Sequence, residues 1–308
     1  MSPIHRMVSV NGITMHIAEQ GDGPLVLLLH GWPETWYSWR KQFQPLVDAG
    51  YRVVAPDQRG YGSTDQPDGV DQYTILHLVG DVVGLIDALG ERQAIVVGHD
   101  WGAPVAWHTA QLRPDLVRGV VGLSVPPAPR SSVPPLSIAR KALGDGFYQI
   151  YFQQEGMAEA DLGKDVRTTF RKLFGGHGAS AAVVEEGHGF LGRVADPRTL
   201  PDWLTDDDFD TMVGEFTRTG FTGGLNWYRN IDRNWELTAP WQDVPITPPA
   251  LYVSGERDVV RRFTDASRLP HLASDLRGVV DIPDCGHWTQ MECPAEVNSA
   301  LLDFFGRL

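Results

Sequence analysis

Two aspartates and a histidine, widely separated in the chain, stand where their surroundings would let them act together. Asp100 lies in Gly98-His99-Asp100-Trp101-Gly102, directly after the apolar run 94–97 and before a helical stretch ending at Pro114. That context predicts a tight strand-to-helix turn that projects one side chain above a sheet as a nucleophile. The residues two before and two after must be small, because a Cβ there would collide across the turn. Pro104 falls in the first helical turn, where a missing N–H costs little. By itself Gly-X-Asp-X-Gly is also the spelling of a polar turn, and its position between a buried strand and a helix is what gives it meaning. Asp258 follows the run 250–254, and His287 follows the run 278–282. Nucleophile, acid and then histidine, each just past the carboxyl end of a strand, is a catalytic order. The loop His30-Gly31-Trp32-Pro33 follows the run 25–29. It can supply the backbone N–H of Trp32 as an oxyanion donor beside that of Trp101.

The elements that must position these residues are legible as alternating periods. Candidate strands are 7–10, 14–19, 25–29, 52–55, 94–98, 119–123, 250–254 and 278–282. The first two read as an edge hairpin turning at Asn11-Gly12. The later ones are nearly continuous apolar runs, as expected of strands covered on both faces. Between them, Trp36, Trp39, Phe43, Leu46 and Val47 share one helical face, as do Leu76, Val79, Val82, Val83, Ile86 and Leu89. A last helix opening near Pro294 carries Val297, Leu301, Phe304 and Leu308 on one side. The alternation predicts an α/β fold with a mostly parallel sheet.

From Pro126 to Trp241 the alternation stops and only helical patterns remain. Val166, Phe170, Leu173 and Phe174 line one helix. Thr205 reads as the N-cap of another, with Asp206, Asp207 and Asp208 complementing its positive end. That acidic run lacks the glycine and spaced ligands of a calcium loop. The expected organisation is a core over 1–125 and 242–308, interrupted by a helical cap over 126–241.

With these motifs in place, the chain resembles the epoxide hydrolases of the α/β-hydrolase fold, soluble type, over nearly its whole length. The resemblance rests on His30-Gly31-Trp32-Pro33, Asp57-Gln58-Arg59-Gly60-Tyr61-Gly62-Ser63, Gly98-His99-Asp100-Trp101-Gly102 and the segment 285–289. Two cap segments carry it further: Phe147-Tyr148-Gln149-Ile150-Tyr151-Phe152-Gln153 and Asn226-Trp227-Tyr228-Arg229-Asn230. It implies an eight-stranded, mostly parallel sheet flanked by helices, and a cis peptide before Pro33. It implies Tyr148 and Tyr228 as ring-opening tyrosines, Tyr151 as a core neighbour, and a substrate pocket touched by Trp32, Pro33, Trp101, Tyr148 and Tyr228. Trp32 stands where the family often has Phe, a change that touches pocket shape only.

Aspartate at position 100 suits that chemistry. A serine attacking an epoxide carbon would leave an alkyl ether that activated water could not readily cleave. A carboxylate leaves an ester, whose carbonyl is then the electrophile for water. The expectation is Asp100 as nucleophile, His287 oriented by Asp258 as base, and Trp32 and Trp101 as oxyanion donors. The implied partners are a small apolar epoxide and water, with no cofactor and no metal. One rival is a haloalkane dehalogenase using the same Asp nucleophile, for which the tyrosine pair has no purpose. Another is a non-catalytic receptor on the same scaffold, which would have no need of all three triad members.

Composition excludes other classes. The chain has 308 residues, 42% of them hydrophobic and 21% charged, which fits a globular chain with a sizeable core. A net charge of −13 makes nucleic acid and anionic membranes poor partners. Cys285 and Cys293 cannot form a disulfide framework, so a reduced, cytoplasmic protein is expected, as monomer or homodimer. No stretch approaches the roughly 20 apolar residues of a membrane span. Gly60-Tyr61-Gly62 lacks the third glycine of a dinucleotide fingerprint, and Asp57 and Arg59 should instead brace the loop. His177 and His188 lack metal-ligand spacing and read as solvent-facing.

Overall fold

The computed structural model describes residues 2–175, 183–185 and 187–308. Eight strands form one sheet: β1 (Ile4–Val10), β2 (Ile13–Gln20), β3 (Leu25–Leu29), β4 (Arg52–Pro56), β5 (Ala94–His99), β6 (Val117–Leu123), β7 (Ala250–Gly255) and β8 (Leu276–Ile282). Their spatial order is β1-β2-β4-β3-β5-β6-β7-β8. β1 pairs antiparallel with β2, and β2 antiparallel with β4. The other neighbours run parallel. Every expected strand is present, each at its expected place. Asn11 and Gly12, both at positive φ, make the two-residue turn of the β1–β2 hairpin.

Helices α1 (Arg40–Asp48), α2 (Ile75–Ala88) and α3 (Gly102–Leu112) follow β3, β4 and β5. Then come α4 (Pro135–Leu143), α5 (Tyr148–Tyr151), α6 (Met157–Leu162), α7 (Val166–Gly175), α8 (Asp206–Thr219), α9 (Thr222–Arg229) and α10 (Ile231–Leu237). After β7 the chain adds α11 (Leu269–Leu272), α12 (Thr289–Glu292) and α13 (Pro294–Phe305). Among the described residues, no helix is long and apolar enough to cross a membrane.

Contacts divide the chain into two compact units. The first comprises Met1–Pro67, Ile75–Pro129 and Pro240–Leu308, and holds the whole sheet. β3 and β5 are buried along their whole length and β6 almost so, because helices must cover both faces of a parallel sheet. Trp39, Phe43 and Leu46 join Val297, Leu301, Phe304 and Phe305 in one core with the strand side chains. The buried face of α2 is Ile75, Leu78, Val79, Val82, Leu85 and Ile86. It is rotated from the apolar face read in the sequence, and Leu76 and Val83 are only half-buried. Asp81 turns inward on that face to take two hydrogen bonds from Arg59, at 2.7 and 2.6 Å, because a buried carboxylate must be paired.

The second unit comprises Asp68–Thr74 and Arg130–Ala239 and is helical. Phe170 packs against Phe174, Phe216 and Phe221, joining α7 to α8 and to the residue before α9. Thr205 caps α8 as its sequence suggested: its hydroxyl accepts from Asp208 N at 3.1 Å, and the Asp208 carboxylate accepts from Thr205 N. The short segment before α2 belongs here because Asn230 donates to the Val70 carbonyl at 2.6 Å.

Candidate active site

The turn between β5 and α3 has the expected shape. Asp100 adopts φ 49°, in the left-handed region that non-glycine residues rarely occupy. A Cβ on Gly98 would come within 2.0 Å of the Gly102 carbonyl oxygen, and one on Gly102 within 2.2 Å of the Leu29 carbonyl oxygen. Only glycine fits at either position. The loop after β3 closes on the same carboxylate, with Trp32 N donating to Asp100 Oδ1 at 2.8 Å. The backbone N–H of Trp101 also donates to it. The Trp32–Pro33 peptide is cis.

That loop is pinned from beneath. His30 Nδ1 donates to the Gly31 carbonyl at 2.9 Å, and its Nε2 accepts from Gln58 N at 3.0 Å. Burial keeps this imidazole neutral by lowering its pKa. Asp57 accepts from His16 at 2.7 Å and from the N–H groups of Trp36 and Ser63, each at 3.0 Å. Asp57 and Arg59 thus brace this region, as the sequence suggested.

His287 and Asp258 arrive on the loops that follow β8 and β7. His287 Nδ1 donates to Asp258 Oδ1 at 3.0 Å, and its Nε2 lies 3.7 Å from Asp100 Oδ2. Glu292 fixes the histidine loop by accepting from Gly286 N and Trp288 N at 2.7 and 2.9 Å. Asp258 Oδ1 also accepts from Val260 N at 2.9 Å. Burial alone would raise Asp258, but the charge and hydrogen bond of His287 outweigh it and bring it down to about 2. Burial alone would lower His287, but Asp258 and then Asp100 outweigh it and lift it to about 9. Asp100 is raised by burial, against the opposing pull of His287, His99 and the two N–H donors.

In the helical unit, Tyr148 opens α5 and Tyr228 lies near the end of α9. Their rings meet edge to face with centroids 5.8 Å apart. Phe152 packs against both, at 5.5 and 5.1 Å. Gln149 Nε2 donates to the Tyr148 hydroxyl oxygen at 3.1 Å.

A family model for the alpha/beta hydrolase fold matches residues 24–294. The chain is 45% identical to Epoxide hydrolase A of Mycobacterium tuberculosis over 98% of its own length and 97% of that protein's. It is 44% identical to Epoxide hydrolase 1 of Siraitia grosvenorii, over 97% of each chain. The crystal structure of Epoxide Hydrolase A from Mycobacterium thermoresistibile superposes with a TM-score of 0.96 at 47% identity, covering 99% of this chain and 98% of that one. The chain belongs to the epoxide hydrolases of the α/β-hydrolase fold.

For this member of the epoxide hydrolases, the sequence located Asp100, Asp258, His287, Trp32 and Trp101, and the sheet unit brings all five together. It missed a buried layer behind them. His99 Nδ1 bonds Glu34 Oε2 at 2.8 Å, and His99 Nε2 bonds the His287 carbonyl at 2.8 Å. Gln290 Nε2 donates to the other oxygen of Glu34 at 2.9 Å. His99 lies inside the Gly98–Gly102 motif, and Glu34 directly follows the His30–Pro33 motif. The available signal was a charged pair flanking two apolar strands, which are hydrophobic enough to bury whatever adjoins them.

Tyr151 is a correction. The family likeness assigned it to core packing, but it is only half-buried, with its ring against Phe152. It stands one residue, about 100° of helix, beyond the buried Ile150, and burial together with the charges of Asp161 and Glu159 raises its phenol. His188 is exposed, and His177 lies outside the described residues. Cys285 is buried and Cys293 half-buried, both as free thiols.

Proposed function

We propose that this chain hydrolyses an epoxide to a vicinal diol in two steps, through an ester on Asp100. The observation that carries the reading is the Asp100 carboxylate itself. One oxygen is held by the Trp32 N–H, and the other faces His287 Nε2. Oδ1 is positioned to remain a carbonyl oxygen, which leaves Oδ2 to attack.

In the first step Oδ2 displaces the ring oxygen from carbon in line. The C–O bond breaks, its electron pair stays on oxygen, and a proton from Tyr148 or Tyr228 makes that oxygen a hydroxyl. Such general acid help contributes about 10²–10⁴ in rate. His287, protonated at neutral pH by its raised pKa, gives up its proton to solvent as the tyrosinate regains one. The net charge of the site is then balanced, and the imidazole is neutral.

In the second step neutral His287 takes a proton from water, and the hydroxide adds to the ester carbonyl. The N–H groups of Trp32 and Trp101 hold the resulting oxyanion, each worth about 3–4 kcal/mol when well placed. Collapse expels the diol, which takes its last proton from His287. The names of the relatives support epoxides as the substrate class, and the paired tyrosine hydroxyls suit a leaving alkoxide. A halide needs no such proton.

The test is one turnover in heavy-oxygen water with enzyme in excess. Label should enter the Asp100 side chain. Label in the diol with none at position 100 excludes the ester, and halide release from bromoalkanes without diol formation favours dehalogenation.

A further inference from the structure

Ser124, directly after β6, is fully buried yet adopts φ 72°. Glycine or asparagine would occupy that left-handed conformation at less cost. A serine at this conformation points to a use for its hydroxyl. β7 fixes its backbone from both sides: Ser124 N donates to the Val253 carbonyl at 3.0 Å, and the Tyr252 hydroxyl donates to the Ser124 carbonyl at 2.8 Å. So held, Ser124 Oγ lies 3.2 Å from His287 Nδ1.

We infer that Ser124 is a positioning residue for the ester-hydrolysis step, bracing the His287–Asp258 pair through its hydroxyl. The inference rests on the two-step reading above. Nδ1 carries its hydrogen toward Asp258 Oδ1, so Oγ can only accept a share of that bond. The hydroxyl hydrogen is then free for a carboxylate, and the Ser124 hydroxyl is among the groups that hold Asp258 low. Two consequences follow. The imidazole is fixed against rotation about its Cβ–Cγ bond, so Nε2 keeps facing Asp100. The same contact holds Nδ1 toward Asp258, so the pair keeps one geometry once the ester has formed. Ring opening, which needs only the Asp100 carboxylate and an acid, does not use this bond.

Single-turnover quench experiments on Ser124→Ala, Ser124→Gly and Ser124→Asn test the inference, with ester formation and decay followed separately by mass spectrometry. Ala keeps the strained backbone and Gly relieves it, but both lose the hydroxyl. Ester formation should stay within about twofold of the wild type in both. Decay should slow about tenfold in both, the scale of one lost hydrogen bond. Asn, whose amide can donate and which tolerates left-handed φ, should recover most of the decay rate. Wild-type decay in both Ala and Gly overturns the assignment. So does a parallel loss of formation and decay, or recovery by Gly alone, which would make backbone strain the cause. A wild-type enzyme that forms no ester removes the two-step reading and this inference together. An ester that the variants hydrolyse normally removes only Ser124's role.

Discussion

Glu34 and His99 are joined at 2.8 Å with both side chains fully buried, and through His99 they tie three loops of the sheet unit together. Glu34 also accepts from Gly31 N at 2.7 Å, which fixes the turn presenting the Trp32 N–H. His99 immediately precedes Asp100, and its second nitrogen holds the His287 carbonyl. Burial opposes charge on both partners, yet their mutual attraction leaves Glu34 lowered and His99 raised. Each partner is thereby biased toward its charged form, in which both His99 nitrogens donate.

Glu34→Gln should destabilise the fold by about 3 kcal/mol, the lower end for breaking a buried ion pair, because the amide oxygen can still accept from Gly31 N and His99. The pH dependence follows from the two shifts. Glu34 is depressed, so its contribution is present above its unfolded value of about 4.3 and is lost as pH falls through the lower folded value. His99 is raised, so its contribution is complete below about 6.5 and is lost as pH rises through the higher folded value. The difference in melting temperature between wild type and variant should peak between those limits and shrink on either side. A difference that stays flat from acid to alkaline pH contradicts an ionised pair.

Replacing both Tyr148 and Tyr228 by Phe should slow ester formation by about 10²–10⁴ and leave decay of any ester formed nearly unchanged. Either single change should cost less than the double change. Their edge-to-face packing with Phe152 keeps the rings in place without the hydroxyls. Rapid-quench kinetics separate the two steps. Slower decay with normal formation would assign the tyrosines to the wrong half of the reaction.

His287→Gln should still alkylate Asp100 and then stall. Mass spectrometry with excess epoxide should find the protein heavier by the mass of one substrate, with the adduct at position 100. No adduct, at a protein concentration where the variant remains folded, would mean that His287 takes part in ring opening.

The strands were legible because they are covered on both faces. A run such as Leu25–Leu29 admits no polar residue, so neither its place nor its length needed tertiary information. The grouping of Asp100, Asp258 and His287 was legible for a related reason: loops after buried strands lie at one edge of the sheet, and order along the chain suffices to group them. Asp81 was not legible. Its inward turn depends on Arg59, 22 positions earlier, and an isolated helix pattern assigns any aspartate to solvent. Glu34 and His99 are 65 positions apart and escaped notice in the same way. Tyr151 was misplaced because α5 is one turn long, too short for periodicity to say which face is covered.

The last prediction concerns the link between the two steps. In the resting enzyme the Asp100 carboxylate is one of the charges that lift His287 to about 9. Ester formation removes that charge, so the midpoint for losing the imidazole proton should fall just when a neutral base is required. Asp100→Asn imitates the neutral side chain, and its amide oxygen can still accept from the Trp32 N–H. Imidazole resonances of His287 followed by NMR should show a lower midpoint in Asp100→Asn than in the wild type. In the wild type, ester decay should rise with pH and level off below pH 9, because only neutral imidazole can accept the proton of water. Equal midpoints in the two proteins would mean that Asp258 alone sets the histidine, and that alkylation does not prepare its own hydrolysis.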